Sequence, residues 1–139
     1  PHLADMYKGT RMILDMLRGD RRVKPQRVLI DHVEEHTIKL ALDAGFWVGM
    51  TLYPVTKCTP DRAVDMVDRY GTDRIMANSA GDWGHSDPMN LPDFIRALRV
   101  RGHDELTIHK LVYENPLRFF MQAKRFNFKP PVPLRAAAE

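Results

Sequence analysis

The side chains best suited to chemistry in this chain crowd into one stretch, Arg27 to His36, RVLIDHVEEH. Asp31 and His32 are followed at once by Glu34, Glu35 and His36. A neutral imidazole suits Zn²⁺ or a similar divalent ion, and a carboxylate can bind metal or take a proton. What precedes them is an aliphatic, β-branched run, Val28-Leu29-Ile30, which reads as a fully buried strand of the parallel kind. Ile38 to Leu42 then reads as a short helix that stops at Gly45. Charges at the carboxyl end of a buried parallel strand lie where α/β sheets place their chemistry. There they must be paired, solvated or bound to metal.

A second polar stretch, Asn78-Ser79-Ala80-Gly81-Asp82-Trp83-Gly84-His85, follows another apolar run. Gly81 and Gly84 allow close backbone approach around Asp82, which reads as a ligand or general base, with a turn aspartate as the plainer role. Tyr53, Trp83 and His85 lie on loops after their strands and could line a substrate pocket or only pack down. Glu34 is a further candidate for that pocket, and Glu34, Glu35 and His36 also fit the first turn of a helix, where acids complement the dipole, a role that carries most weight for Glu35. His36 reads as exposed, and His103 and His109 as structural or surface residues. His32 to His36 also spells H-x-x-E-H, a zinc-peptidase pattern. That chemistry needs both imidazoles on one helix face, and here His32 follows a strand directly, so it ranks second.

The elements that must position these groups alternate. A helix over about Asp5 to Arg18 ends at Gly19; then come strand–helix pairs at Val28–Ile30 and Ile38–Ala44, and at Phe46–Leu52 and Thr59–Tyr70. A third pair spans Ile75–Asn78 and Leu91–Arg101. Thr59-Pro60-Asp61 carries a cap, a proline at the first helical position and an acid in the first turn. Asn90 reads as the cap of the Leu91 helix, and Gly49 as a point of close backbone approach. Glu105–Tyr113 and Leu117–Met121 add two helices, with a Pro-rich extended tail beyond. Short strands alternating with helices argue for right-handed βαβ units and a parallel sheet.

Bulk properties narrow the classes. A length of 139 residues fits one domain with a real core, and 44% hydrophobic with 28% charged residues excludes a disordered chain. No apolar run approaches the roughly 20 residues of a membrane span. The net charge of +3 is scattered, which leaves nucleic-acid binding open but unsupported. Cys58 is the sole cysteine, so no internal disulfide can form and a reducing, cytoplasmic setting is expected. The chain opens on Pro1-His2 without an initiator Met or an apolar leader, which reads as processing or as a piece of something longer.

Three of these patterns resemble the amidohydrolase superfamily. The strand ending in His32 resembles its sixth barrel strand, and Asn78 to Trp83 its eighth strand end. Gly102 to Phe120, GHDELTIHKLVYENPLRFF, is similar to the last helices of the TatD-like and phosphotriesterase-like branches. The resemblance covers roughly residues 1–121 and implies the carboxyl-terminal half of a (β/α)8 TIM barrel, with 122–139 as tail. The superfamily's His-x-His pair of the first strand has no counterpart here, nor has its fourth-strand bridging residue. The resemblance further implies His32 and Asp82 as metal ligands, His2 as the fifth-strand ligand, and Asp82 as the group that handles the proton of the attacking water. It implies one or two Zn²⁺, with Mg²⁺ or Mn²⁺ as alternatives, and hydrolysis of an ester, amide or phosphoester. The alternative is a non-catalytic half-barrel or interaction module. Either way the rest of the barrel, or a second chain, is expected to cover the sheet edges.

Overall fold

Three strands form a parallel sheet in the order β1 (Leu29–Ile30), β2 (Trp47–Leu52), β3 (Ile75–Ser79). They belong to a computed structural model that describes residues 5–55, 57–81 and 85–131. Helices α1 (Met6–Gly19), α2 (Ile38–Asp43), α3 (Pro60–Tyr70) and α4 (Asn90–Val100) precede or follow the strands in turn. Among the described residues α5 (Glu105–His109) and α6 (Asn115–Phe120) follow. This is an α/β chain whose three-stranded parallel sheet is compatible with half of a barrel. Among the described residues no helix is long and apolar enough to cross a membrane.

Strand alternation sorts the sheet into two faces. With Leu29 opposite Trp47 and Val48 opposite Ile75, one face carries Ile30, Val48, Met50, Leu52, Ile75 and Ala77. These six join Ala63, Val64 and Val67 of α3 and Phe94 and Leu98 of α4 in one buried core. The other face carries Trp47, Gly49 and Thr51 of β2 beside Met76 and Asn78 of β3, and none of these belongs to that core. The helices are thus stacked on one side, as successive right-handed crossovers require.

Local signals hold where they rest on neighbouring residues. Thr59 caps α3 by accepting from the Arg62 amide, with Pro60 at the first position, and Gly45 takes φ +84 after α2. Two readings need correction. Asn90 does not cap α4; it is that helix's first residue, and its buried side-chain amide donates to the Leu52 carbonyl, 3.3 Å away at the end of β2. The Asp87 carboxylate instead accepts from the Met89 amide at 2.8 Å.

The two expected terminal helices are also joined. Lys110–Glu114 is a π-helical turn between α5 and α6, closed by the Asn115 amide on the Lys110 carbonyl. The wider turn falls where the Pro116 ring would otherwise meet the Val112 carbonyl of a regular helix. Asn115 is 2% exposed, and its side-chain amide donates to the carbonyls of Thr72 and Ile75, each at 2.7 Å. It thereby fixes the loop that leads into β3.

Candidate functional site

The sheet's carboxyl end brings together groups from all three strands. Asp31 follows β1 directly, and its side chain lies across Gly49 of β2. A Cβ built on Gly49 would stand 2.2 Å from Asp31 Oδ1, so only glycine leaves room for the carboxylate. Oδ1 accepts from the Thr51 hydroxyl at 3.0 Å and from the Asn78 side-chain amide at 3.3 Å. One carboxylate oxygen is therefore held from β2 and β3 together. The other, Oδ2, stands 3.8 Å from His32 Nε2.

His32 owes its position to a break in the β1–β2 ladder. The Trp47 amide donates to the Val28 carbonyl, a rhythm that would bring the His32 amide to the Gly49 carbonyl. The Val33 amide makes that bond instead, at 3.1 Å. One extra residue is accommodated by His32 itself, at φ 58 in the left-handed region. Such one-residue bulges re-aim a side chain beside a site, at the cost of local strain. Nδ1 is turned into the interior, while Nε2 faces the Asp31 carboxylate.

Glu34, Glu35 and His36 precede α2 rather than forming its first turn; residues 35–37 are a turn and the helix starts at Ile38. The reason is Thr37, a buried residue whose hydroxyl accepts from the Glu34 amide and donates back to the Glu34 carbonyl. His32 and His36 consequently do not share a helix face, which removes the geometry that an H-x-x-E-H zinc site requires.

Ligand atoms of Glu34, Glu35 and His36 lie within 4.8 Å of one another. Both carboxylates, however, already have a cation. Arg62 on α3 pairs with Glu35 through two bonds, 2.6 and 2.5 Å, reaches Glu34 Oε2 at 3.1 Å, and also donates to the Lys57 carbonyl. Hydrogen bonding from Arg62 is the main reason the Glu35 carboxyl is held below its ordinary value; the same bonds hold the guanidinium proton more tightly than usual. Arg62 thus ties the loop after β1 to the loop after β2.

A lowered folded pKa means that Glu35 contributes stability in full above its unfolded value near 4.5 and loses it as pH falls from there through the lower folded value. With Glu35 and Arg62 partly solvated, the expected contribution is only about 1 kcal/mol. Arg62→Ala should lower stability by about that amount at pH 7, and the gap to the unaltered chain should close below roughly pH 4 in urea titrations. A gap independent of pH would assign the effect to lost packing.

The remaining candidates divide sharply. Tyr53 is 1% exposed, its ring under Lys57 Nζ, 4.7 Å from the ring centre, so it packs down rather than facing solvent. His85 and His36 are exposed. Glu34 is in the Arg62 clamp. Burial pushes the Cys58 thiol up to about 12, which leaves no thiolate for nucleophilic work at neutral pH. His2, Asp82 and Trp83 lie outside the described residues.

Residue type marks Asp31 as ionisable but assigns it no role, and it marks neither Thr51, Asn78 nor Arg62. The signal that could have found Asp31 is Gly49, a glycine in the middle of a buried strand and level with Asp31 once the strands are paired.

No family model matches the chain. The sequence is similar to an uncharacterized metal-dependent hydrolase of Methanocaldococcus jannaschii, with 29% identity over 99 residues. The match takes in 71% of this chain and 39% of that protein, so the chain spans well under half the length of the curated relative it matches.

Proposed function

We propose that this chain supplies the carboxyl-terminal half of a (β/α)8 barrel in a metal-dependent hydrolase of amidohydrolase type, close to the TatD-like and phosphotriesterase-like branches. The observation that carries the reading is the bulged strand end that aims His32 Nε2 beside an anchored carboxylate at the mouth of a parallel sheet. The similarity to a metal-dependent hydrolase supports it.

The residues present fit a divalent ion: an imidazole nitrogen and a carboxylate are the donor types that Zn²⁺ takes, and Mg²⁺ or Mn²⁺ would draw more on the carboxylates. His32 and Asp82 would hold one or two such ions, with His2 as a further ligand. When bound, the ion brings the pKa of a water molecule down to about 7. Asp82 is the group assigned to receive that water's proton as an ester, amide or phosphoester is attacked. Of the side chains proposed to contact substrate, His85 is open to solvent, while Tyr53 and Glu34 are held within the chain. The remaining strands of the barrel, or a second chain, would cover the free edges of β1 and β3 and complete the ligand set.

The test is metal content and hydrolysis by the native-length protein. Zn²⁺-type ions at one or two per chain, with turnover lost in both His32→Ala and Asp82→Asn, are the expected result. Metal-free protein of this chain's mass, unaffected by either change, would establish an interaction module instead.

A further inference from the structure

We infer that Asp31 is itself a metal ligand, sharing one divalent ion with His32 through its Oδ2 oxygen. The inference rests on the proposed hydrolase site and extends it to a residue outside the His32–Asp82–His2 set.

Three features of the geometry meet at this carboxylate. First, the spacing: His32 Nε2 and Asp31 Oδ2 are 3.8 Å apart, too far for a hydrogen bond. Two donors each about 2.1 Å from a tetrahedral ion lie roughly 3.4 Å apart, so a small rotation of either side chain closes the difference.

Second, the two oxygens of Asp31 have different surroundings. Oδ1 is fixed by the Thr51 hydroxyl and the Asn78 amide, both donors, while Oδ2 points to the imidazole. A carboxylate that binds metal through one oxygen is commonly oriented by hydrogen bonds to the other.

Third, the backbone is built around it. Gly49 leaves the space in which the carboxylate lies, and the bulge at His32 brings the two consecutive side chains to the same side of the strand end, where regular alternation would send them to opposite faces. A carboxylate serving only as a core hydrogen-bond acceptor would not need the adjacent imidazole turned toward it. Arg62 is shared between Glu34 and Glu35, whereas among the described residues Asp31 pairs with no lysine or arginine and has only the Thr51 and Asn78 donors on Oδ1 and the His32 ring near Oδ2.

The experiment is a Co²⁺ titration of the metal-stripped, native-length protein, followed by its visible absorption, which reports coordination independently of turnover. Asp31→Asn preserves shape and the acceptor facing Thr51 and Asn78 but replaces Oδ2 by a neutral amide. Its Co²⁺ affinity should fall roughly tenfold or more, with a changed band intensity and an unaltered circular dichroism spectrum. Thr51→Val, which loosens Oδ1 and leaves the charge, should weaken Co²⁺ several-fold and serves as the probe should Asp31→Asn misfold. Co²⁺ affinity and spectrum unchanged in both variants, while His32→Ala abolishes binding, would overturn the role of Asp31 and leave the hydrolase site standing. No Co²⁺ binding by the unaltered protein would overturn both.

Discussion

Gly49→Ala should destabilise the protein by about 2–4 kcal/mol, although it adds one methyl to a strand where alanine is ordinarily tolerated. The new Cβ would stand 2.2 Å from Asp31 Oδ1 and 3.1 Å from its Cγ, so the carboxylate must leave. In leaving it gives up the bonds from Thr51 and Asn78, whose donors lie in a largely buried region. The effect should therefore depend on Asp31. In an Asp31→Ala background the same Gly49→Ala change meets no carboxylate and should cost less than about 1 kcal/mol, a non-additivity that a double-mutant cycle in urea measures directly. Equal penalties in both backgrounds would mean that the glycine is needed for backbone reasons alone.

Asn115→Ala is the second large change expected, at about 2–4 kcal/mol. Its side-chain amide serves two carbonyls at once, those of Thr72 and Ile75, and the site is 2% exposed. Removing the donor strands both acceptors in a place that water reaches poorly. Asn115→Asp should be worse than alanine, since it sets carboxylate oxygens against the same two carbonyls. If aspartate were tolerated better than alanine, the amide would not be the stapling group. The readout is the denaturation midpoint at constant slope.

How far the fold could be read from residues follows the range of the interactions. The three strands are apolar runs, and Thr59-Pro60-Asp61 or Gly45 act on atoms a few residues away, so their patterns are visible along the chain. Asn90 reads as a cap by the same local logic and fails because its partner, the Leu52 carbonyl, lies 38 residues off. Glu34 and Glu35 read as helix-start acids, yet their counter-charge comes from Arg62, 27 and 28 residues on. In the site, His32 was legible because a histidine after a buried strand is conspicuous. Asp31 was not, because its role depends on the register of β1 against β2 and β3, which no single strand encodes. The helices expected at Glu105–Tyr113 and Leu117–Met121 show the reverse: the break between them, at Asn115-Pro116, is spanned by a π turn.

The segment after α6 returns to the beginning of the sheet. The Gln122 side chain donates to the Gln26 carbonyl at 2.8 Å, and Arg27 donates to the Gln122 carbonyl at 3.0 Å, with the Phe119 ring tilted against Trp47, centroids 5.7 Å apart. These bonds join residues 95 and 96 positions apart. During synthesis β1 therefore emerges from the ribosome long before the residues that secure its leading end, and closing so long a loop is an entropic expense met only by a chain that is otherwise folded. The later segment acts as a latch on a strand made well before it. Without that segment the leading end of β1 would lose these tethers, and local opening of the sheet should start there.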